Sequence, residues 1–135
     1  MGAWSTNSFG NDSACDWTCG LSERDVLAYV SETLDRVLSA GAESLDDDIA
    51  TEGVAACEVV ARLMGNWGVR DSYSQDVDEW VESQAGLRVD DDLKRRAIAV
   101  VDRVQTDPSD LLEIWEECEE WLESMADLRS RLVSK

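Results

Sequence analysis

Apolar residues recur along most of this chain at spacings of three and four, the pattern of helices that each bury one face. The stretch "LSERDVLAYVSETLDRVLSAG" sets Val26, Val30, Leu34, Val37 and Leu38 on one stripe. It opens with Ser22 followed three residues later by Asp25, a near-capping box, and ends at Gly41. A second stripe, over residues 47–64, carries Ile49, Gly53, Ala56, Cys57, Val60, Leu63 and Met64. Gly53, Ala55, Ala56 and Ala61 keep that helix slim, so neighbours can approach closely, and it is expected to be the central helix. Residues 91–105 present Leu93, Ala97, Val100, Val101 and Val104. The last stripe predicts one long C-terminal helix over residues 109–133, with Leu111, Trp115, Cys118, Leu122, Met125 and Leu132 in line and an interruption at Arg129. Ile114, Trp121 and Leu128 lie beside that line, and Pro108 stands where a first helical turn tolerates proline.

Shorter elements fill the gaps. "NDSACDWTCG" predicts a short helix with Asn11 or Asp12 as N-cap and Gly20 as terminator. "QDVDEWVESQAG" reads as a short amphipathic turn closed by Gly86. No run alternates with period two, so no strand is expected. At 135 residues the expectation is one domain, residues 1–135, folded as an all-α bundle of five to six helices.

Two segments resemble each other: "SLDDDI" at 44–49 and "RVDDDL" at 88–93, with Gly53, Ala56 and Val60 then matching Ala97, Val100 and Val104. A duplicated helix-loop unit and convergence on the same capping chemistry both account for this. The aspartates Asp46, Asp47, Asp48 and Asp90, Asp91, Asp92 therefore have two readings: N-caps that complement the helix dipole, or a surface for a partner. A cation site is disfavoured, because contiguous aspartates point in different directions and the spaced D-x-D-x-D-G pattern is missing.

Charge narrows the function classes. The chain has 12 basic and 30 acidic residues, a net charge of −18, and no His. Such a surface repels nucleic acid, so direct nucleic-acid binding is not expected. No apolar run approaches the ~20 residues of a membrane span, and no membrane association is expected. The opening lacks a basic n-region and an apolar h-region, which makes cytoplasmic residence the expectation. Only Lys94 and Lys135 are lysines; adaptation to high salt and a GC-rich genome both fit that balance, and the net charge itself fits either partner binding or salt adaptation. Without His, a Ser or Cys nucleophile lacks its usual base, and neither a Gly-rich phosphate loop nor a His-Glu metal motif occurs. No cofactor is expected.

The four cysteines, Cys15, Cys19, Cys57 and Cys118, could form an all-thiolate zinc set. Against it, Cys57 and Cys118 each sit inside an apolar helical stripe, where a thiol packs as a small hydrophobe. Reduced, metal-free cysteines with Cys57 and Cys118 buried are the expectation.

The chain starts "MGAWSTNSFGNDSACDW", with Trp4 and Phe9 set among Gly, Ser, Thr and Asn. This resembles the start of the family known as domain of unknown function 4259, whose members begin Met-Gly-Ala-Trp-Gly-x-Gly-x-Phe-x-Asn-Asp, then Ala and Asp-Trp. Gly2, Ala3, Trp4, Phe9, Asn11, Asp12, Ala14, Asp16 and Trp17 fit that pattern, whereas Ser5 and Asn7 replace its glycines. "AACEVVARL" is similar to the family's Ala-Glu-Val-Val-Ala helix, and "PSDLLEIWEECEEWLESMADLRSRL", with Trp115, to its terminal helix. Cys15, Cys57 and Cys118 stand where the pattern has Leu or Ala, which favours packing over metal binding. The family name brings no activity with it. For residues 1–10 the structural reading is an extended clasp, with Trp4 and Phe9 inserted into the bundle; the functional one makes Trp4, Asp12, Asp16 and Trp17 a ligand-binding surface.

The sequence thus leads to an acidic helical interaction protein that masks the surface of a basic protein partner, as immunity or antitoxin proteins do. Nothing in it sets an oligomeric state. The alternatives are a metal-dependent enzyme built on acidic pairs such as Asp12 with Asp16 or Glu116 with Glu120, and a nucleic-acid mimic with carboxylates in two parallel rows.

Overall fold

A computed structural model describes residues 26–40, 43–65, 79, 81–82, 89–106, 109–115 and 117–133. The predicted clasp at residues 1–10, the short helix after it, Cys15 and Cys19 lie outside the described residues, as do the family-motif positions Trp4, Phe9, Asn11, Asp12, Asp16 and Trp17. Five helices are named: α1, Val26–Leu38; α2, Asp47–Leu63; α3, Asp91–Val104; α4, Asp110–Trp115; and α5, Glu119–Val133. Among the described residues there is no strand, only an isolated bridge between Leu45 and Ser109, and the architecture is an all-α single-domain bundle.

Burial of α2 runs nearly all round its circumference: Ala50, Ala55, Ala56, Cys57, Val59, Val60 and Ala61 are fully enclosed, as a helix at the centre of a bundle requires. It touches each of the other four helices. The slim face explains how. A Cβ placed on Gly53 would lie 2.5 Å from Val37 Cγ2 of α1 and 3.2 Å from Val100 Cγ1 of α3, so both neighbours occupy the space that any side chain would need. At its end α2 stops on Gly65, whose φ of +88° is a left-handed conformation that L side chains rarely adopt.

Helix directions follow from paired contacts. Gly53 meets Val100, while four residues further along α2 the Cys57 Sγ donates to the Ala97 carbonyl at 3.3 Å, so α2 and α3 are antiparallel. Val37 of α1 and Val100 of α3 both meet Gly53, while Arg96, one turn earlier in α3, reaches Ser31 and Asp35 earlier in α1, so α1 and α3 run parallel. The α1–α2 connection is tied to the start of α4 and to the end of α3. The Asp110 amide donates to the Leu45 carbonyl at 2.9 Å, and Arg103 Nη2 donates to the Glu43 carbonyl at 2.7 Å. Ser109, itself buried, accepts from the Leu112 amide and caps α4.

The expected single helix over residues 109–133 is instead two. Glu117 is in a turn, Cys118 is outside any helix, and α5 begins afresh at Glu119. The physical reason is phase. At about 100° per residue, an unbroken helix would align Leu111 with Leu122, leaving the centre of the Trp121, Met125, Leu128 and Leu132 face about 70° away. The break shifts the phase between α4 and α5: Leu111 and Leu122, which an unbroken helix would put on one line, are buried and exposed respectively, and the core row of α5 runs through Trp121, Met125, Leu128 and Leu132. The row read as flanking, through Trp121 and Leu128, is the core row. Cys118, expected to be buried, is half-buried at the break.

Candidate functional site

The six aspartates singled out in the sequence do not form one surface. Asp46 caps α2 by accepting from the Ile49 amide at 3.4 Å, and Asp90 caps α3 by accepting from the Leu93 amide at 2.7 Å. Because α2 and α3 are antiparallel, these caps sit at opposite ends of the bundle, about 25 Å apart at 1.5 Å of rise per residue. Asp92 is held by Arg95 at 2.8 Å and lies 3.0 Å from Arg96 Nε. The Arg95 hydrogen bond leads the effects that hold the Asp92 carboxyl below its ordinary range. Asp48 and Asp91 are exposed, while the Asp47 side chain and that of Trp115, the last residue of α4, lie outside the described part. Among the described residues no group of three or more His, Cys, Asp or Glu side chains could hold a metal ion.

A buried charge cluster lies between α2 and α5. Glu58, in the "AACEVVARL" block, pairs with Arg62 one turn on, and both side chains are almost fully enclosed. Arg131 of α5 closes on the same carboxylate, with Nη2 to Oε1 at 2.7 Å and Nη1 to Oε2 at 3.0 Å, a fork matching the carboxylate's two oxygens. Its Nε donates to Asp127 at 2.8 Å. Burial works against the charge on Arg131, yet the hydrogen bonds and charges of Glu58 and Asp127 outweigh it and raise its pKa. Beside them, burial and then the Glu58 charge push the Cys57 thiol well above its usual range. Cys57 is therefore a neutral S–H donor to Ala97, unsuited to nucleophilic attack or thiolate ligation. With both Glu58 oxygens engaged by guanidinium groups, the cluster is built to hold α5 on α2 rather than to move protons. Sequence reading passed over it. The available signal was a Glu and an Arg at i, i+4 within an otherwise apolar helix.

Every described arginine has an internal partner. Arg36 pairs with Glu52 at 3.1 Å, Arg129 with Asp102 at 2.8 Å, Arg96 with Asp35 at 3.0 Å, and Arg103 with backbone carbonyls. Among the described residues the exposed charges are mostly carboxylates, with Arg36, Arg95 and Arg129 the exposed arginines. Carboxylates are densest before and along α5, where Asp107, Asp110, Glu113, Glu116, Glu117, Glu119, Glu120, Glu123 and Asp127 occur with no basic residue until Arg129. Of these, Glu113, Glu117, Glu119, Glu120, Glu123 and Asp127 are exposed. Leu122, 36% exposed, and Val133, 49% exposed, share the outer side of α5 with them. An open groove lined by Ala126, Arg129, Ser130 and Val133 runs there as well.

The fold and its charge arrangement define a class: a small acidic helical bundle whose described arginines pair within the chain and whose exposed described charges are mostly carboxylates. The chain belongs to the family described as domain of unknown function (DUF4259), whose model matches residues 2–126. That match starts within the N-terminal motif and includes Glu58, and it ends inside α5 before Arg129 and Arg131. No curated protein and no solved structure matches the chain. No helix among the described residues is long and apolar enough to cross a membrane.

Proposed function

We propose that this protein is a cytoplasmic acidic interaction module that binds a basic protein and masks its charged surface, in the manner of an immunity or antitoxin protein. The observation that carries this reading is the outer side of α5, where exposed carboxylates surround an exposed leucine while the nearby arginines are committed to partners within the fold. Negative surface of this kind attracts a basic partner through long-range steering and excludes other acidic chains. The aspartate triplets contribute less than their sequence suggests, since Asp46 and Asp90 serve as caps and Asp92 is paired.

Affinity capture at low and at near-molar salt, with the retained proteins identified by mass spectrometry, tests the reading. One basic protein should be retained stoichiometrically at low salt and released as screening increases. Retention that ignores salt, or no basic protein at all, would remove it. Equilibrium dialysis against divalent metals addresses the alternative: tight, stoichiometric binding would replace the interaction module with a metal-dependent enzyme.

A further inference from the structure

We infer that the outer face of α5, along Leu122, Ala126, Ser130 and Val133, docks a basic amphipathic helix of the partner; this deepens the function proposed above and rests on it. Leu122 and Val133 are the exposed large hydrophobics among the described residues, and both fall on this one helix. They lie eleven positions apart, which at about 100° per residue places them within about 20° of the same face. Between them Ala126 and Ser130 are small and line the open groove, so a second helix can approach closely along about three turns.

Charge selects the occupant. Glu119, Glu120 and Glu123 are exposed around the Leu122 end. Toward the Val133 end Arg129 lines the groove, and its pairing with Asp102 at 2.8 Å offsets the charge it turns to an incoming basic helix. A second copy of this chain would bring another body of charge −18 against the same carboxylates. A helix with an apolar stripe flanked by Lys and Arg buries Leu122 and Val133 and neutralises the glutamates together.

The test uses a synthetic Leu/Lys amphipathic helix of about five turns and a Leu/Glu counterpart with the same apolar stripe, titrated at low salt while backbone amide shifts are followed. The Leu/Lys peptide should bind with shifts concentrated on residues 119–133, and the Leu/Glu peptide should not. Leu122→Asp should weaken binding at least about tenfold although it adds a negative charge, which a purely electrostatic encounter would reward. Val133→Asp, at the more exposed of the two large apolar positions, should do the same without disturbing the fold. If the Leu/Lys peptide binds but its shifts map elsewhere, or both substitutions leave binding unchanged or stronger, docking on α5 is wrong while the acidic interaction module stands. If the Leu/Lys peptide does not bind at low salt at all, both fall.

Discussion

Arg131, two residues from the end of α5, holds Glu58 of α2 with two hydrogen bonds of 2.7 and 3.0 Å across 73 positions of sequence. Glu58 also neutralises Arg62, so one buried carboxylate serves two guanidinium groups. Glu58→Gln should therefore destabilise the fold by about 3 kcal/mol or more, because it removes the buried negative charge that both Arg62 and Arg131 engage. Arg131→Lys should cost less, yet still measurably, since a lysine cannot reproduce the fork. Urea denaturation of both variants and of the double variant would check this. Additive losses would show that Glu58 and Arg131 do not act together.

Much of the bundle is legible in the sequence, and the reason is visible in α3. Leu93, Ala97, Val100, Val101 and Val104, the apolar stripe of residues 91–105, are the five buried residues of that helix. Gly53 likewise announced α2 as the central helix, because only close packing rewards such a slim face. The break at Cys118 was not legible. Periodicity reports spacing within a segment but not the direction of the core, and Leu111 through Leu132 satisfied a continuous stripe as well as a broken one. The Glu58 cluster escaped for a related reason: a charged residue reads as solvated until its distant partner, here Arg131, is known.

Cys57 should be the less reactive of the two described thiols. Its side chain is fully buried and its pKa is raised well above the usual range by burial and then by Glu58, so little thiolate is present at about pH 8. Alkylation mapped by peptide mass spectrometry should modify the half-buried Cys118 first and Cys57 only as the protein unfolds. Comparable rates at both positions would mean that the α2–α3 interface opens in the native state.

Two carboxylates should give stability opposite dependences on pH. Asp92 is held below its ordinary value by Arg95, so its contribution is fully present above about pH 4 and is lost as pH falls through the lowered folded value. Glu52 is shifted upward, chiefly by burial and against the pull of Arg36; its ionised form is disfavoured in the fold, and that penalty is relieved as pH falls. Relative to the parent protein, Asp92→Asn should lose stability as pH rises from about 3 to 7, and Glu52→Gln should gain it over the same interval. Thermal unfolding at several pH values reads both, and slopes of the same sign would refute the assignment.

Gly53→Ala is the sharpest check on how the central helix is packed. In an exposed helix the exchange would stabilise by about 1 kcal/mol, because alanine loses less backbone freedom. Here the new methyl would sit 2.5 Å from Val37 Cγ2 and 3.2 Å from Val100 Cγ1. Valine in a helix has one strongly preferred χ1 rotamer, so neither neighbour can swing aside without strain. Overpacking of this kind costs about 1 to 3 kcal/mol and should outweigh the propensity gain, leaving the variant less stable than its parent. Val37→Ala should also destabilise, by opening a void between α1 and α2. Combined, the two should cost less than the sum of the single losses, because the methyl introduced by Gly53→Ala enters space that Val37 gives up. A Gly53→Ala protein that melts higher than its parent would show that α1 and α3 do not close on α2 at this position.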